Sequence, residues 1–174
     1  MTAEIIRADA ALMRDHFNGF CELLRDVVDG GASVNFVAPL DAAIACAYWE
    51  KAAADVVSGQ RIVITAIEDG QIVGCAHLAP ATTPNGHHRA EVQKVLVHSA
   101  YRRRGFAQAL MAAIEDEARA IGRWLLVLDT EEGSGAQAFY ERLGYTNAGG
   151  IPEFALSADG TSYRANVYYY KKLT

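Results

Sequence analysis

The segment that decides the fold is Val95-Leu96-Val97-His98-Ser99-Ala100-Tyr101-Arg102-Arg103-Arg104-Gly105-Phe106-Ala107-Gln108. It begins as an apolar strand, passes through a short turn and continues through Arg-x-x-Gly-x-Ala into a helix. The first amides of a helix have no intrahelical acceptor and carry partial positive charge, so they bind phosphate well. Small residues at Gly105 and Ala107 let a phosphate approach the backbone. The segment therefore predicts an anion site, and three arginines add local positive charge to it.

The residues after this turn predict an amphipathic helix. Apolar residues recur at intervals of three and four from Phe106 to Ile121, and Gly122 ends the pattern. Glu115, Asp116 and Arg119 are expected on the opposite, solvent-exposed side. The turn matches neither the P-loop nor the dinucleotide-binding fingerprint, because both need glycines at other spacings.

Composition limits the class of protein. A chain of 174 residues that is 51% hydrophobic predicts one domain over residues 1–174 with a buried core. The net charge of -5 argues against a nucleic-acid partner or an anionic membrane. Three widely spaced cysteines, Cys21, Cys46 and Cys75, are typical of free thiols in a reducing compartment. With no signal-peptide pattern and no apolar run near the ~18 residues of a membrane span, a cytoplasmic protein is expected.

The pattern along the chain predicts a mixed α/β (α+β) fold in the order β, α, α, β, β, β, α, β, α, β, β. Strands are expected at 4–7, 61–67, 71–79, 88–97, 123–128, 145–155 and 163–171. Helices are expected at 10–28, 41–58, 106–121 and 135–143. An Asp-Gly pair at Asp69 predicts a tight hairpin between the second and third strands.

Two motifs in this order resemble a known family. They are Arg102-x-x-Gly105-x-Ala107 after a strand, and Ala136-Gln137-Ala138-Phe139-Tyr140-Glu141-Arg142-Leu143-Gly144-Tyr145 after the next strand. Together they are similar to the GNAT superfamily of acetyl-CoA-dependent N-acetyltransferases, most specifically over residues 91–145. The resemblance implies a mixed, mostly antiparallel central sheet of six to seven strands with helices on both faces. Segments 89–94, 128–130 and 151–160 are further similar to the tabtoxin-resistance acetyltransferases.

The resemblance implies where acetyl-CoA binds. The pantetheine would pair with the strand before the turn, the pyrophosphate would lie on the helix amides, and the thioester would end where strands 88–97 and 123–129 splay apart. Many family members hold the pantetheine with an asparagine at the position of Gly133, so Ser134 is expected to cap the following helix instead. The residues expected at the cofactor are Val95, Leu96, Val97, Arg102, Arg103, Arg104, Gly105, Phe106, Ala107, Gln108 and Ser134.

Acetyl transfer to an amine requires two proton movements. An aliphatic amine is mostly protonated at neutral pH, so a carboxylate or a water it polarises must remove a proton. Glu91 stands eleven residues before Arg102, where histone-acetylating members carry their general base, and Asp129 ends the other splayed strand; both remain candidates. By resemblance, Tyr140 protonates the coenzyme A thiolate. A backbone N–H near Leu96 or Val97 is expected to stabilise the oxyanion.

The acceptor side is less determined by sequence. In this fold the connection between the first two helices overhangs the acceptor site, so Ser33, Asn35 and Phe36 are expected to contact a small-molecule amine or amino acid-like acceptor. Tyr48 and Trp49 are expected in the core. Adjacent histidines at 87 and 88 lack metal-ligand spacing, so no metal is expected.

Transfer is expected to be direct, in a ternary complex, because no cysteine lies in the two motif regions. Three alternatives stay open: a protein or peptide N-acetyltransferase, a non-catalytic acyl-CoA-binding sensor module, and a dimeric scaffold. In the last, the strand-like segment Tyr168-Tyr169-Tyr170 would pair across the interface of a homodimer.

Overall fold

The computed structural model describes residues 3–173, which contain one seven-stranded sheet in the order β1-β2-β3-β4-β5-β7-β6. The strands are β1 (Glu4–Arg7), β2 (Ile62–Glu68), β3 (Gln71–Pro80), β4 (Arg89–Val97), β5 (Leu125–Glu131), β6 (Thr146–Leu156) and β7 (Tyr163–Lys172). The helices are α1 (Ala10–Asp15), α2 (Phe17–Asp29), α3 (Ala42–Val57), α4 (Phe106–Ala120) and α5 (Gly135–Arg142). The predicted fold class is confirmed, and the order of elements differs from the predicted one by an additional helix before β2.

The sheet opens in its middle. Every neighbouring pair of strands is antiparallel except β4 and β5, which are parallel. Their pairing covers only residues 89–91 of β4 against 125–127 of β5. Beyond Glu91 the two strands no longer pair, so the second half of β4 leaves one backbone edge facing a gap.

A β-bulge accompanies the opening. Cys75 pairs with Leu96 and His77 pairs with Gln93, so a single residue of β3 faces both Lys94 and Val95. Lys94 has φ +49, in the left-handed region. Because a bulge bends and twists its strand, it fits the separation of β4 from β5.

Two cores cover the two faces of the sheet. On one face, α4 and α5 pack over the sheet through residues such as Leu110, Ile114 and Leu128. On the other face, α2 and α3 pack through Phe20 and Trp49, whose rings lie 4.6 Å apart.

Two expectations about helices are wrong. The helix predicted at 10–28 is two helices, α1 and α2, separated at His16. His16 still makes hydrogen bonds of helical spacing on both sides: its N–H donates to the Leu12 carbonyl, and its carbonyl accepts the Phe20 N–H. The helical spacing of apolar residues therefore continues through the break. Glu115, expected in solvent, is buried because the Lys171 ammonium lies 2.7 Å from its carboxylate.

The segment Tyr168–Tyr170 does not lie at an edge of the sheet. β7 lies between β5 and β6 and pairs with both, so Tyr168–Tyr170 have no free strand edge. The expected pairing of this segment across an interface is therefore wrong. Among residues 3–173, no helix is long and apolar enough to cross a membrane.

Candidate active site

A cleft of about 420 Å³ lies at the gap between β4 and β5. Its walls come from the loop after α2, from both splayed strands and from the start of α5. Seven residues expected at the site from sequence line it: Ser33, Asn35, Glu91, Val95, Asp129, Ser134 and Tyr140. The separated motifs therefore converge on one cleft.

The cleft joins the two faces of the sheet. Leu128 packs in the core under α4 and α5, so Asp129, the next residue of β5, faces the opposite side. Glu91 faces that same opposite side, because its neighbours Ala90 and Val92 pack under α4. Tyr140 belongs to the core on the α4 side. The two carboxylates and the phenol thus approach the gap from different faces.

Tyr140 is a buried tyrosine whose side chain lines the cleft. Only 7% of the residue is exposed, it lines the cleft, and its hydroxyl makes no hydrogen bond within residues 3–173. Burial, with a smaller contribution from the Asp129 carboxylate, raises the pKa of the phenol. The hydroxyl is therefore protonated at neutral pH.

The carboxylates of Asp129 and Glu91 differ in their hydrogen-bond partners. Asp129 accepts a hydrogen bond from the side-chain amide of Asn166 on β7, whereas Glu91 makes no side-chain hydrogen bond or ion pair in the described part of the chain. Asn166 is 5% exposed. Sequence analysis missed it, and the available signal was an asparagine inside the apolar segment Ala165-Asn166-Val167. Asn166 fixes the orientation of the Asp129 carboxylate.

The predicted anion site presents a row of free amides. Between Arg103 and Gln108, no backbone N–H donates to an acceptor within residues 3–173. Gly105, at the N-cap of α4, has φ +87, and a Cβ there would meet nothing within 4 Å. Only glycine adopts this backbone conformation freely. The turn therefore offers several donors to one polyphosphate, as the pyrophosphate of a coenzyme requires.

The three arginines contribute less charge than expected. Arg104 lies 2.6 Å from the Glu68 carboxylate, and its guanidinium stacks near the rings of Tyr101 and Phe106. Arg102 donates through Nε to the Val97 carbonyl at 3.3 Å. Arg103 makes neither an ion pair nor a side-chain hydrogen bond in the part of the chain that the structure describes. The expectation that all three charges serve the anion site is wrong for Arg104, which Glu68 neutralises.

Some expected cofactor contacts are restricted to the backbone. The side chains of Leu96 and Phe106 are buried in the core, so only their main-chain groups are available to a ligand. Ser134 occupies the N-cap of α5, but its hydroxyl pairs with the Thr130 hydroxyl at 3.2 Å and caps nothing. Gln137 instead reaches back to accept the N–H of Gly133. Capping by Ser134 is therefore wrong, because its hydroxyl pairs with Thr130 and accepts no amide of the helix.

The loop between α2 and α3 forms one wall of the cleft. Leu40 N–H donates to the Asp29 carboxylate at 2.8 Å, and Ala38 N–H donates to the Ala158 carbonyl at 2.7 Å. These bonds fix the second half of the loop, while Ser33 and Asn35 line the cleft. Phe36 lies behind them, with its ring 5.5 Å from that of Tyr48.

A polar cluster that was not predicted from the sequence lines the same part of the cleft as this loop. Tyr48, expected in the core, lines the cleft, and its hydroxyl lies 3.4 Å from Arg61. Arg61 pairs with Asp55 at 3.0 Å and with the ring nitrogen of His77 at 3.0 Å. Burial, together with the charges of Arg61 and Lys94, keeps the pKa of His77 well below its usual value, so the ring is neutral. Residues 3–173 contain no group of three or more metal-binding side chains.

Known proteins share both the sequence motifs and the fold. Residues 35–145 match the Acetyltransferase (GNAT) family. An uncharacterised N-acetyltransferase encoded in the hisH-hisA intergenic region of Azospirillum brasilense is 31% identical over 134 residues, which cover 76% of this chain and 78% of that protein. An N-acetyltransferase from Staphylococcus aureus Mu50 superposes with a TM-score of 0.81 at 18% identity, over 100% of both chains. The putative acetyltransferase yncA from Salmonella typhimurium, solved with its cofactor acetyl-CoA, gives 0.78 at 22% identity, over 100% of this chain and 95% of that one.

The chain belongs to the acetyltransferase (GNAT) family. It is an enzyme of the GNAT N-acetyltransferase type, and its sheet and helices are those of solved GNAT structures.

Proposed function

We propose that this enzyme transfers the acetyl group of acetyl-CoA to the primary amine of a small-molecule or amino acid-like acceptor, directly within a ternary complex. The observation that carries the proposal is the single cleft in which the opened edge of β4, the phenol of Tyr140 and the carboxylate of Asp129 meet. No cysteine lines this cleft in the described residues, which supports transfer without a covalent enzyme intermediate.

The residues present fit acetyl-CoA, which would supply the activated acetyl group as a thioester. The free amides from Arg103 to Gln108 would hold its pyrophosphate. The unpaired edge of β4 over Val95, Leu96 and Val97 would pair with the pantetheine amides as an added strand. A main-chain N–H of that same edge would donate to the thioester oxygen. Acetyl-CoA bound in the Salmonella protein of similar fold supports this assignment.

The side chains divide the proton movements between them. Asp129, held by Asn166, would remove the amine proton, with Glu91 as the second candidate. Tyr140, protonated by virtue of its raised pKa, would donate to the departing thiolate. Asp129 and Tyr140 approach the gap from opposite faces of the sheet.

Two observations favour a small acceptor. The cleft has the volume of a small-molecule site, and the loop of Ser33 and Asn35 overhangs it. Structures of similar fold include an aminoglycoside 6'-acetyltransferase type Ii and a ribosomal-protein-alanine N-acetyltransferase from Brucella melitensis, so the fold alone does not choose between acceptors. The narrower resemblance to the tabtoxin-resistance acetyltransferases supports an amino acid-like acceptor. A cytoplasmic location, which we also propose, is supported by the three free thiols.

The proposal is tested by titrating acetyl-CoA into the protein by calorimetry and then measuring thiol release on a panel of amines, amino acids, β-lactam amino acids and peptides. Binding followed by thiol release on small amines is the expected result. Binding without release on any acceptor would favour an acyl-CoA sensor, and release restricted to peptides would favour a peptide N-acetyltransferase.

Tyr140→Phe is expected to lower kcat about 30-fold while changing the affinity for acetyl-CoA less than about twofold. The loss is moderate because a thiol with a pKa near ~8.5 leaves as thiolate with little assistance at neutral pH. Stopped-flow thiol release and calorimetry measure the two quantities. Tyr145→Phe is the matched control, since this buried tyrosine lies next to Tyr140 without lining the cleft. Equal losses of kcat and affinity would show that Tyr140 positions the cofactor instead.

A further inference from the structure

Lys94 stands in the cleft without an anionic partner. Its ammonium lies 5.7 Å from the ring centroid of Phe36 and 5.5 Å from that of Tyr48. No carboxylate within residues 3–173 approaches it within ion-pair distance, and its N–H groups donate to no protein acceptor there. The side chain leaves the strand at the bulge, where φ of +49 directs the backbone away from regular pairing.

A half-buried ammonium without hydrogen-bond acceptors is costly for a folded protein. The two aromatic rings attract the charge, but they offer no acceptor for its three N–H donors. The nearby cation of Arg61 does not share this property, because Asp55, His77 and Tyr48 already occupy its guanidinium. Lys94 is therefore the cation of this cleft that is available to a ligand.

We propose that Lys94 binds a carboxylate of the acceptor, so that the substrate is an amino acid or a similar zwitterion whose amine faces Asp129. This inference rests on the proposed function and names the substrate class within it. Among the described residues, the cleft offers the carboxylates of Glu91 and Asp129 to an ammonium and the unpaired ammonium of Lys94 to an anion.

The balance of charge selects a carboxylate over a phosphate. Glu91, Asp129 and Glu131 all line the same cleft, and the other lining cation, Arg61, is neutralised by Asp55. A phosphomonoester would bring close to two negative charges toward three carboxylates against one free ammonium. A singly charged carboxylate pairs with Lys94 and brings about half of that negative charge toward the three carboxylates.

The decisive experiment compares matched acceptors. The twenty L-amino acids, their primary carboxamides and the available decarboxylated amines are assayed for thiol release with acetyl-CoA. The best amino acid is expected to exceed its carboxamide at least about 30-fold in kcat/KM. In Lys94→Met this preference is expected to fall below about threefold, mainly through KM. Lys94→Arg, which keeps the cation, should retain most of the preference, and Lys172→Met removes an exposed lysine as control.

A binding measurement provides a readout besides turnover. The N-acetylated form of the best amino acid is titrated into CoA-loaded protein by calorimetry, and Lys94→Met is expected to weaken its binding about 30-fold. Acetylation restricted to amines without a carboxylate would overturn this inference and leave the proposed function intact, as would an unchanged preference in Lys94→Met. Absence of acetyl-CoA binding would overturn both together.

The pH dependence supplies a second signature. Burial and the charge of Arg61 lower the pKa of Lys94 to about 8, against the raising effect of Asp129, Cys75 and Glu91. Lys94 is cationic below this pKa, whereas the arginine of Lys94→Arg keeps its charge. A carboxamide lowers the pKa of the neighbouring amine, so the preference for the amino acid over its carboxamide is compared between the two proteins at each pH. The wild-type preference should fall relative to that of Lys94→Arg as pH rises through about 8. The other facing groups do not interfere: burial raises the pKa of Cys75 and Tyr48 and keeps His77 neutral.

Discussion

Gly105→Val is expected to weaken the binding of acetyl-CoA at least about 100-fold. Gly105 has φ +87, a conformation that costs a valine roughly 1–2 kcal/mol and that β-branching makes less accessible still. The turn would relax toward negative φ and move the amides that follow it. Losing two hydrogen bonds to a charged phosphate, at about 1.5–3 kcal/mol each, accounts for the expected loss. Calorimetric titration of acetyl-CoA measures it.

Gly122 provides the matched control at the other end of the same helix. It has φ +70, its added Cβ would likewise meet nothing within 4 Å, and its N–H donates to the Arg119 carbonyl at 3.0 Å. Gly122→Val therefore imposes comparable backbone strain far from the amide row, and we expect it to lower the melting temperature while leaving acetyl-CoA affinity unchanged. Unchanged affinity in Gly105→Val, or equal losses in both variants, would contradict a phosphate site at residues 103–108.

The fold was predictable because its signals are local. Apart from β1, the strands and the helix after Gly105 are marked by apolar residues and by a glycine near their ends. The break at His16 escaped prediction because one non-helical residue between α1 and α2 leaves the spacing of the apolar residues intact. The burial of Glu115 escaped because it depends on Lys171, which is 56 residues away in sequence.

The site was predictable only where a motif marks it. Tyr140 and Gly105 stand in recognisable motifs, and their surroundings agree with what those motifs imply. Asn166 and Lys94 depend on neighbours that are distant in sequence. Asn166 reaches Asp129 from the neighbouring strand β7, and Lys94 lies at the bulge of β4. Arg104 lies inside the motif, but its guanidinium pairs with Glu68 at the end of β2, a partner that the motif does not indicate.

Asp129→Asn is expected to lower kcat/KM at pH 7 about 1000-fold, with little change in acetyl-CoA affinity. An aliphatic amine with a pKa near ~10.4 is neutral in fewer than about one molecule in 1000 at pH 7, so an enzyme without its base must rely on that fraction. The carboxamide oxygen of the variant still accepts the Asn166 amide, so the local structure is preserved. Thiol release across a pH series measures the effect.

The change of kcat/KM with pH shows whether Asp129→Asn has lost a general base or only a contact with the acceptor. As pH rises toward 10, the amine loses its proton in solution, so kcat/KM of Asp129→Asn should climb about tenfold per pH unit and the deficit should nearly vanish. Glu91→Gln, which removes the other carboxylate of the cleft, should change kcat/KM less than about threefold over the same range. If Glu91→Gln instead carries the deficit that shrinks with pH, Glu91 is the base. A deficit in Asp129→Asn that stays constant with pH would mean that Asp129 orients the acceptor ammonium, because only proton removal becomes dispensable when the amine is already neutral.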